Sequence, residues 1–547
     1  MINPLMKYSE VTDPTFVPEG KLFRISFEPL QNMMRICSSS PKLFDYMKEA
    51  FSATNKTAFY VSMHGYATDE KVYAINDFGY FKPGMFFDVI SYLKRQYGSL
   101  KGVEMSEQCK HYVSECLVPL KPYMRNLNRE TFDVRNIRED SGRNMTLPEK
   151  DRMYLRDYQT EAIKRMIFDG YGRGLLELPT SAGKSFVIAN FIYNMEKQVL
   201  KGLRYLIFVP NTQLVSQFYG DLIDYGFPQK SIRIQGTKCK GPENAPIIIT
   251  NRQYVFKNPD IKFDADVLIN DEVHQTKPKS ATMEFVDNFN CNIRFGFSGT
   301  LPRDKYEKMT LCGSFGRVLF VEDIIHLQEQ GYITKLKINL LKIFDTGVNK
   351  DRTILFHENT TKKFKMGSNN GIKFNDAYDA EIKHINDNYQ KLYSPIVEEL
   401  QDMEGNTLIL FDRLEFGQNM FELTKEFIKD KNVYYIDGQT PVDEREKSRK
   451  EMENSNNNII FGQCSILSTG INIKNLTNLV MMVSTKSFSR ILQSIGRTLR
   501  LHKDKEYAQL YDISFNYKYS KKHLEERLAI YSQMYHKTPD TSKVIEV

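Results

Sequence analysis

Gly174-Leu175-Leu176-Glu177-Leu178-Pro179-Thr180-Ser181-Ala182-Gly183-Lys184-Ser185-Phe186-Val187-Ile188 is a short apolar run, a turn of small residues and the start of an apolar helix, Phe186–Met195. Small residues let a backbone wrap close to phosphate oxygens, and the amides of a helix N-terminus then point at the anion. Thr180, Ser181, Ala182 and Gly183 would line such a loop. Lys184 would reach the β- and γ-phosphates of ATP, and Ser185 would ligate Mg²⁺. The pattern GxxxxGK[ST] is not fully met, because Leu178 stands where its first glycine would be. Taken alone, a chance Gly-Lys-Ser at a strand–helix turn reads the same way.

Outward from this loop the same design recurs. Tyr205–Val209, Ile247–Thr250, Val267–Asn270 and Arg294–Ser298 are short apolar runs separated by helical patterns. Such runs predict a parallel sheet covered by helices. The run Val267–Asn270 ends in Asp271-Glu272-Val273-His274, 87 residues after Lys184. A carboxylate at the carboxyl end of a parallel strand faces the ligand crevice of an open α/β sheet. Asp271 is read as a Mg²⁺ ligand and Glu272 as the group that polarises the attacking water, since one carboxylate cannot serve both roles.

A second α/β region follows, with runs at Thr407–Phe411, Val433–Asp437, Ile459–Gly462, Leu479–Val483 and Gln509–Ile513. Within it, Gln493-Ser494-Ile495-Gly496-Arg497-Thr498-Leu499-Arg500 opens a helical stretch. Arg497 and Arg500 are three apart and share a helix face. Arginines delivered to a hydrolysing γ-phosphate stabilise its spreading charge by several kcal/mol. The ATP site is therefore expected to draw on both α/β regions.

Residues 1–148 read as a small α+β module: strand Met33–Cys37, helix Pro41–Ala53, strands Thr57–Met63 and Lys71–Asn76, helix Gly84–Tyr97. Asn126–Glu149 is polar and reads as a linker; its Arg125, Arg129, Arg135, Arg138 and Arg143 alternate with acids, which favours a solvated segment over phosphate contacts. Lys350–Asn375 interrupts the second α/β region around Gly367–Gly371. That lysine-flanked turn reads as a solvated basic hairpin, with a duplex-gripping arm as the alternative. Asn454–Asn458 reads as a surface loop, and the chain closes with a helix, Lys521–Tyr535, and a polar tail.

With 547 residues, three or four domains are expected. Apolar residues at 41% suffice for ordinary cores, and 75 basic against 68 acidic side chains give a formal charge of +7. This suits a phosphate-bearing partner without requiring one. Seven scattered cysteines with no CxxC pair suggest neither a zinc site nor a disulfide framework. Met1–Glu10 lacks the pattern of a signal peptide, and no run approaches the eighteen apolar residues of a membrane span. A reducing cytosol is the simplest compartment.

The order and spacing of these motifs resemble those of superfamily 2 helicases over about residues 150–515. Leu155-Arg156-Asp157-Tyr158-Gln159 resembles the segment that reads adenine, with Arg156 and Gln159 as nucleotide contacts. Val209-Pro210-Asn211-Thr212-Gln213-Leu214 and Thr250-Asn251-Arg252-Gln253 resemble strand-tracking motifs, which makes Asn211, Thr212, Thr250 and Arg252 nucleic-acid contacts. Ser298-Gly299-Thr300 resembles the Ser-x-Thr element that couples hydrolysis to strand movement. His274 joins it as a candidate relay, with an ordinary hydrogen-bonded histidine equally open. Ser468-Thr469-Gly470-Ile471-Asn472 resembles the motif in which Gly470 meets ATP and Thr469 the strand. Asn472 stands where many relatives carry Asp, and Gly299 where Ala is usual. Among subgroups, Leu178–Ser185, Ser468–Leu476 and the layout of residues 72–97 are most similar to the UvsW-like helicases of T-even phages.

The resemblance implies an α/β fold of two tandem RecA-like parallel-sheet domains, at 149–335 and 336–515. Before them lies the accessory module 1–148, expected to bind DNA, and after them a C-terminal helix and tail, 516–547. It implies a nucleic-acid-dependent ATPase, using ATP and Mg²⁺, with Lys184, Asp271, Glu272, Gln493, Arg497 and Arg500 as the catalytic set. The implied work is remodelling of branched or forked DNA in phage recombination and repair, by a monomer tracking single strands 3′ to 5′. Recombination proteins are the implied partners, and the host cytoplasm the implied compartment if a phage encodes the chain. An RNA helicase, or a non-hydrolysing binding protein on the same fold, stays open as an alternative. The complete catalytic set argues against the latter. Few stacking aromatics flank the strand motifs, which favours backbone tracking over base reading.

Overall fold

The computed structural model describes residues 17–55, 69–149, 152–236, 239–346, 375–464, 475–482, 491, 495–496, 498–501 and 505–547. Two compact units emerge, Met1–Leu178 with Gly183–Glu322, and Pro179–Ala182 with Asp323–Val547.

The first unit opens with β1 (Phe23–Glu28), β2 (Met33–Ser38), β3 (Ser52–Thr54), β4 (Lys71–Tyr73), β5 (Tyr80–Phe81) and β6 (Val103–Met105). The order β5-β2-β1-β6 makes a mixed four-stranded sheet, with β1 parallel to β6 and antiparallel to β2. Helices Pro41–Ala50 and Phe86–Tyr97 pack on it and bury Met47, Val89 and Leu93 among Phe23, Ile25 and Phe81. The run Thr57–Met63, expected as a strand, lies outside the described residues.

Seven further strands form the main sheet of this unit: β7 (Arg173–Glu177), β8 (Tyr205–Val209), β9 (Ile232–Ile234), β10 (Ile247–Asn251), β11 (Val267–Asn270), β12 (Ile293–Ser298) and β13 (Val318–Val321). Their order is β13-β7-β12-β11-β8-β10-β9, and every pairing is parallel. Burial on both faces explains why β8 and β11 are unbroken apolar runs.

The N-terminal module is built into this unit rather than tethered to it. Gly84 lies so close to the helix Lys305–Phe315 that a Cβ there would fall 2.2 Å from the Cys312 carbonyl oxygen. Lys82 pairs with Asp287 at 2.5 Å. The segment 126–149, expected to be a solvated linker, is instead pinned to the helix Lys184–Asn194. Fully buried Asn190 and Asn194 accept hydrogen bonds from the amides of Ile137 and Arg135, each at 2.9 Å. Asn194 also donates to the Arg135 carbonyl at 2.9 Å, and Gln198 donates to that of Asp133 at 2.9 Å. Composition suggested solvent because these partners are backbone groups, which side-chain polarity does not reveal.

Removing residues 1–148 is therefore expected to strip these amide partners as well as the module. A buried polar group left unsatisfied costs about 1–3 kcal/mol. Thermal melting should show the 1–148 deletion less stable than a 1–125 deletion, and both less stable than the intact chain. Equal midpoints for all three chains would refute the pinning.

The second unit holds β14 (Lys335–Phe344), β15 (Asn406–Phe411), β16 (Asn432–Ile436), β17 (Asn458–Gln463), β18 (Leu476–Met482), β19 (Tyr507–Phe515) and β20 (Thr541–Glu546). The order is β16-β17-β15-β18-β19-β14-β20, again with all pairings parallel. The helix Lys518–Tyr535 is fixed by a buried network. Arg527 holds Asp512 of β19 through Nε and Nη2 at 2.8 and 2.7 Å, and the Tyr531 hydroxyl donates to Asp512 at 2.6 Å. The expected polar tail contains a strand, β20, which pairs with β14. Its side chains are almost all exposed, so its pairing rests on backbone hydrogen bonds and left little apolar pattern to read. The fold is thus α/β: two tandem RecA-like parallel sheets with a small N-terminal α+β module. The lysine-flanked turn at 367–371 lies outside the described residues.

Candidate nucleotide site

The carboxyl ends of β7, β11 and β12 converge in the first unit. Gly183 caps the helix Lys184–Asn194 with φ +77, a left-handed conformation that glycine adopts without strain. A Cβ there would also meet Gln159 Nε2 at 2.7 Å, so the Arg156–Gln159 turn lies directly against the loop. The Gln159 side-chain oxygen Oε1 accepts from the Arg156 backbone amide at 3.1 Å, and Gln159 is only 4% exposed. Thr180 and Ser181 are half-buried and Ala182 is buried, with Ser181 at φ +74. Leu178, the departure from the phosphate-loop pattern, is a core residue whose amide donates to the Ser298 carbonyl at 2.8 Å.

Lys184 Nζ stands 3.3 Å from Glu272 Oε1. On its other oxygen Glu272 faces His274 Nδ1, also at 3.3 Å. His274 Nδ1 is 2.9 Å from Ser298 Oγ, which donates to the Thr300 carbonyl at 2.6 Å and accepts from the Thr300 amide at 3.1 Å. A continuous polar line thus runs from the phosphate-loop lysine through the acidic turn to the Ser-x-Thr element. Glu272 adopts φ +50, unusual for a residue with a side chain.

The two carboxylates are driven apart. Burial and the Glu272 charge push Asp271 up from the ordinary range. Burial opposes ionisation of Glu272 too, but Lys184 and His274 outweigh it and hold Glu272 below that range. Asp271 Oδ1 is buried and accepts no hydrogen bond among the described residues. An orphaned buried carboxylate oxygen and a serine hydroxyl are hard-oxygen ligands of the kind Mg²⁺ takes, so Asp271 and Ser185 have the chemistry to hold the ion. The Ser185 hydroxyl is bonded at 2.9 Å to that of Tyr225. Tyr225 was not expected at the site. Its signal was faint, a tyrosine closing the amphipathic helix Thr212–Tyr225.

Residues 152–303 match the family described as "Type III restriction enzyme, res subunit". Residues 389–502 match "Helicase conserved C-terminal domain". The "ATP-dependent DNA helicase uvsW" of Enterobacteria phage T4 is 31% identical over 371 residues, 65% of this chain and 67% of that protein. The chain belongs to the superfamily 2 helicases, in the UvsW family. The "DNA 3'-5' translocase XPB2" of Sulfurisphaera tokodaii is 26% identical over 65% of this chain and 81% of its own. In fold, this UvsW-family helicase is similar to the DNA-bound Type ISP restriction-modification enzyme LlaBIII. The TM-score is 0.52 with 16% identity, over 73% of this chain and 32% of that one.

The expected strand contacts of this UvsW-family helicase are placed unevenly. Thr212 is exposed, while Asn211 caps its helix by accepting from the Leu214 amide at 3.0 Å. Thr250 is 0% exposed and its hydroxyl donates to the Gln235 carbonyl at 2.7 Å; Arg252 is 9% exposed. Both are buried in this conformation, and Gln253, next in the same motif, is exposed. A polar residue at a strand–helix junction can serve the fold as readily as a ligand.

In the second unit Arg500 is half-buried, and its carbonyl accepts from Thr334 Oγ1 at 3.0 Å. Lys505 Nζ donates to the carbonyls of Thr498 and Leu476 at 2.7 and 3.0 Å; burial, with the Arg500 charge, brings its ammonium down to about 8. Thr469, Gly470, Gln493 and Arg497 lie outside the described residues. Among the described residues no helix is long and apolar enough to cross a membrane, and no three metal-ligating side chains cluster.

Proposed function

We propose that this chain is an ATP-dependent DNA helicase and translocase that remodels branched or forked DNA by branch migration, fork regression and strand annealing, in phage recombination and repair. The observation that carries the reading is the polar line Lys184–Glu272–His274–Ser298 beside the orphaned Asp271 oxygen. A binding protein that no longer hydrolysed ATP would have no need of a buried cation, two divergent carboxylates and a histidine relay in one place. DNA as the substrate is supported by both relatives, a DNA helicase and a DNA translocase, and 3′ to 5′ movement by the second.

In this reading Gln159 and Arg156 contact the nucleotide base, and residues 180–185 with Gly470 cradle the phosphates. Lys184 pairs with β- and γ-phosphate oxygens. Ser185 and Asp271 hold Mg²⁺, which supplies charge neutralisation on the phosphates when bound. Glu272, kept ionised by Lys184 and His274, orients the attacking water and takes its proton. Gln493, Arg497 and Arg500 meet the charge that spreads over the leaving phosphoryl group. His274, Ser298 and Thr300 relay the outcome towards Thr212 and Thr469 on the strand. Residues 149–335 and 336–515 are assigned as the motor domains of a monomer, and 1–148 as an accessory DNA-binding module.

Glu272→Gln should retain ATP and Mg²⁺ binding while hydrolysis falls by about 10²–10⁴-fold, the usual worth of a general base. Fluorescent-nucleotide binding and phosphate release, measured with single-stranded, duplex and forked DNA and with RNA, test both roles and substrate. Forked and single-stranded DNA should stimulate wild-type turnover most. Equal stimulation by RNA would move the assignment to RNA, and loss of ATP binding in the variant would exchange the roles of Asp271 and Glu272.

A further inference from the structure

Arg252 opens the helix Arg252–Lys257 directly after β10, and the acidic turn follows β11; the order β11-β8-β10 puts β8 between the two strands. Two strand spacings amount to about 10 Å. The Arg252 side chain nevertheless crosses the carboxyl end of β8. Its Nη2 donates to the Glu272 carbonyl oxygen and its Nη1 to Gln275 Oε1, both at 3.2 Å. The cost of burying this guanidinium is offset in part by the charges of Glu272 and Asp271. The residue so held is the one with a left-handed backbone. Glu272 sits at φ +50, ψ +47, and a side-chain-bearing residue keeps such a conformation only where its surroundings over-determine it.

That conformation matters because it aims the carboxylate. In it Oε1 meets Lys184 and Oε2 meets His274. Relaxation to an ordinary backbone would swing the side chain off both. Arg252 fixes the carbonyl on one side of the Glu272 Cα, and with Gln275 it closes the short turn Val273–Gln275 from the other. The arginine thus acts on catalysis from the motif that sequence pattern assigned to the strand.

We propose that Arg252 is a positioning residue for Glu272: by holding the Glu272 carbonyl it locks the left-handed turn that aims the general base, and it makes no contact with nucleic acid. This rests on the reading of Glu272 as the base, so Glu272→Gln is assayed alongside.

The test uses the full chain and three variants. Arg252→Met removes both hydrogen bonds, Arg252→Lys can keep one, and Gln275→Leu removes only the side-chain partner. Single-turnover hydrolysis should fall about 100-fold in Arg252→Met, the scale of a misplaced catalytic group. The fall should be about tenfold in Arg252→Lys, the worth of one lost charge-assisted bond. Gln275→Leu should fall less than either. KM for ATP should stay within about twofold, and the affinity for an oligo-dT strand and its salt slope should be unchanged. A weaker strand affinity with a salt slope reduced by about one would make Arg252 a phosphate contact and overturn the proposal. So would unchanged turnover, or parallel losses of melting temperature, KM and kcat, which mark a purely structural role. If Arg252→Met does not fold, Arg252→Lys and Gln275→Leu carry the same comparison. Normal turnover in Glu272→Gln would instead remove the underlying assignment of the base.

Discussion

Lys184→Ala is expected to abolish nucleic-acid-stimulated ATP hydrolysis, by about 10²–10³-fold or more in kcat, the loss measured for a single preorganised charge at a transition state. Two effects add. The phosphates lose their cation, and Glu272 loses the ammonium 3.3 Å away that, against burial, holds it ionised. The apolar body of the helix, Phe186, Val187, Ile188 and Phe191, is untouched and fully buried, so the fold should persist. What destabilisation there is comes from a buried carboxylate deprived of its partner. Adding Glu272→Gln to Lys184→Ala should therefore recover melting temperature without recovering any turnover. Wild-type hydrolysis in the single variant would remove the nucleotide site from this loop.

The second large effect is expected at the arginines. Arg497→Ala and Arg500→Ala should each reduce stimulated hydrolysis by roughly 10³-fold if each meets the phosphoryl charge as a true finger. ATP affinity should change far less, because that charge develops only in the transition state. Pre-steady-state phosphate release with nucleotide titration separates the two. Equal losses of affinity and rate would assign ground-state binding instead. The Arg500 backbone is fixed by Thr334, whose hydroxyl and amide donate to the Arg500 and Leu499 carbonyls at 3.0 and 2.8 Å. Truncating the guanidinium should leave that anchorage in place.

How much was legible before folding depended on whether a residue's role is written in its own chemistry. Strands β8 and β11 were read to the residue, because a strand buried on both faces must be apolar along its length. Strands β9, β13, β14 and β20 of the two large sheets were missed, as were β1, β5 and β6 of the N-terminal module and β3, which begins where the helix expected over Pro41–Ala53 stops short at Ala50. The first two are short, β14 carries lysines on its solvent side, and β20 exposes nearly everything. Lys184, Asp271, Glu272, His274, Ser298 and Thr300 were singled out one motif at a time, and their mutual distances were not readable. The left-handed backbone of Glu272 was equally invisible, since glutamate advertises no such preference. The burial of Thr250 and Arg252 was not readable, because polar side chains at a strand end suit a ligand and a turn alike. Asn190 and Asn194 offered a signal that went unused, two asparagines four apart in an otherwise apolar helix.

That pair of asparagines, with Gln198 one turn on, gives the helix of the phosphate loop a property most helices lack. A helix satisfies its own backbone and is held by greasy contacts, so it can roll or slip by small steps. This one is keyed like a shaft in a slot: four hydrogen bonds to residues 133–137 run along one flank, and any roll or one-residue slide would break them together. A push on Gly183 and Lys184 has no slack to take up locally. It would be handed on to residues 133–149, whose Asn136 and Asn144 in turn donate to the Met153 carbonyl, each at 2.9 Å, shortly before the Arg156–Gln159 turn. The Arg156–Gln159 turn and the Gly183–Lys184 helix start are thereby tied to one another through one chain of hydrogen bonds. In the proposed function, a change of phosphate occupancy would reach the Arg156–Gln159 turn as displacement rather than be dissipated as loosened packing.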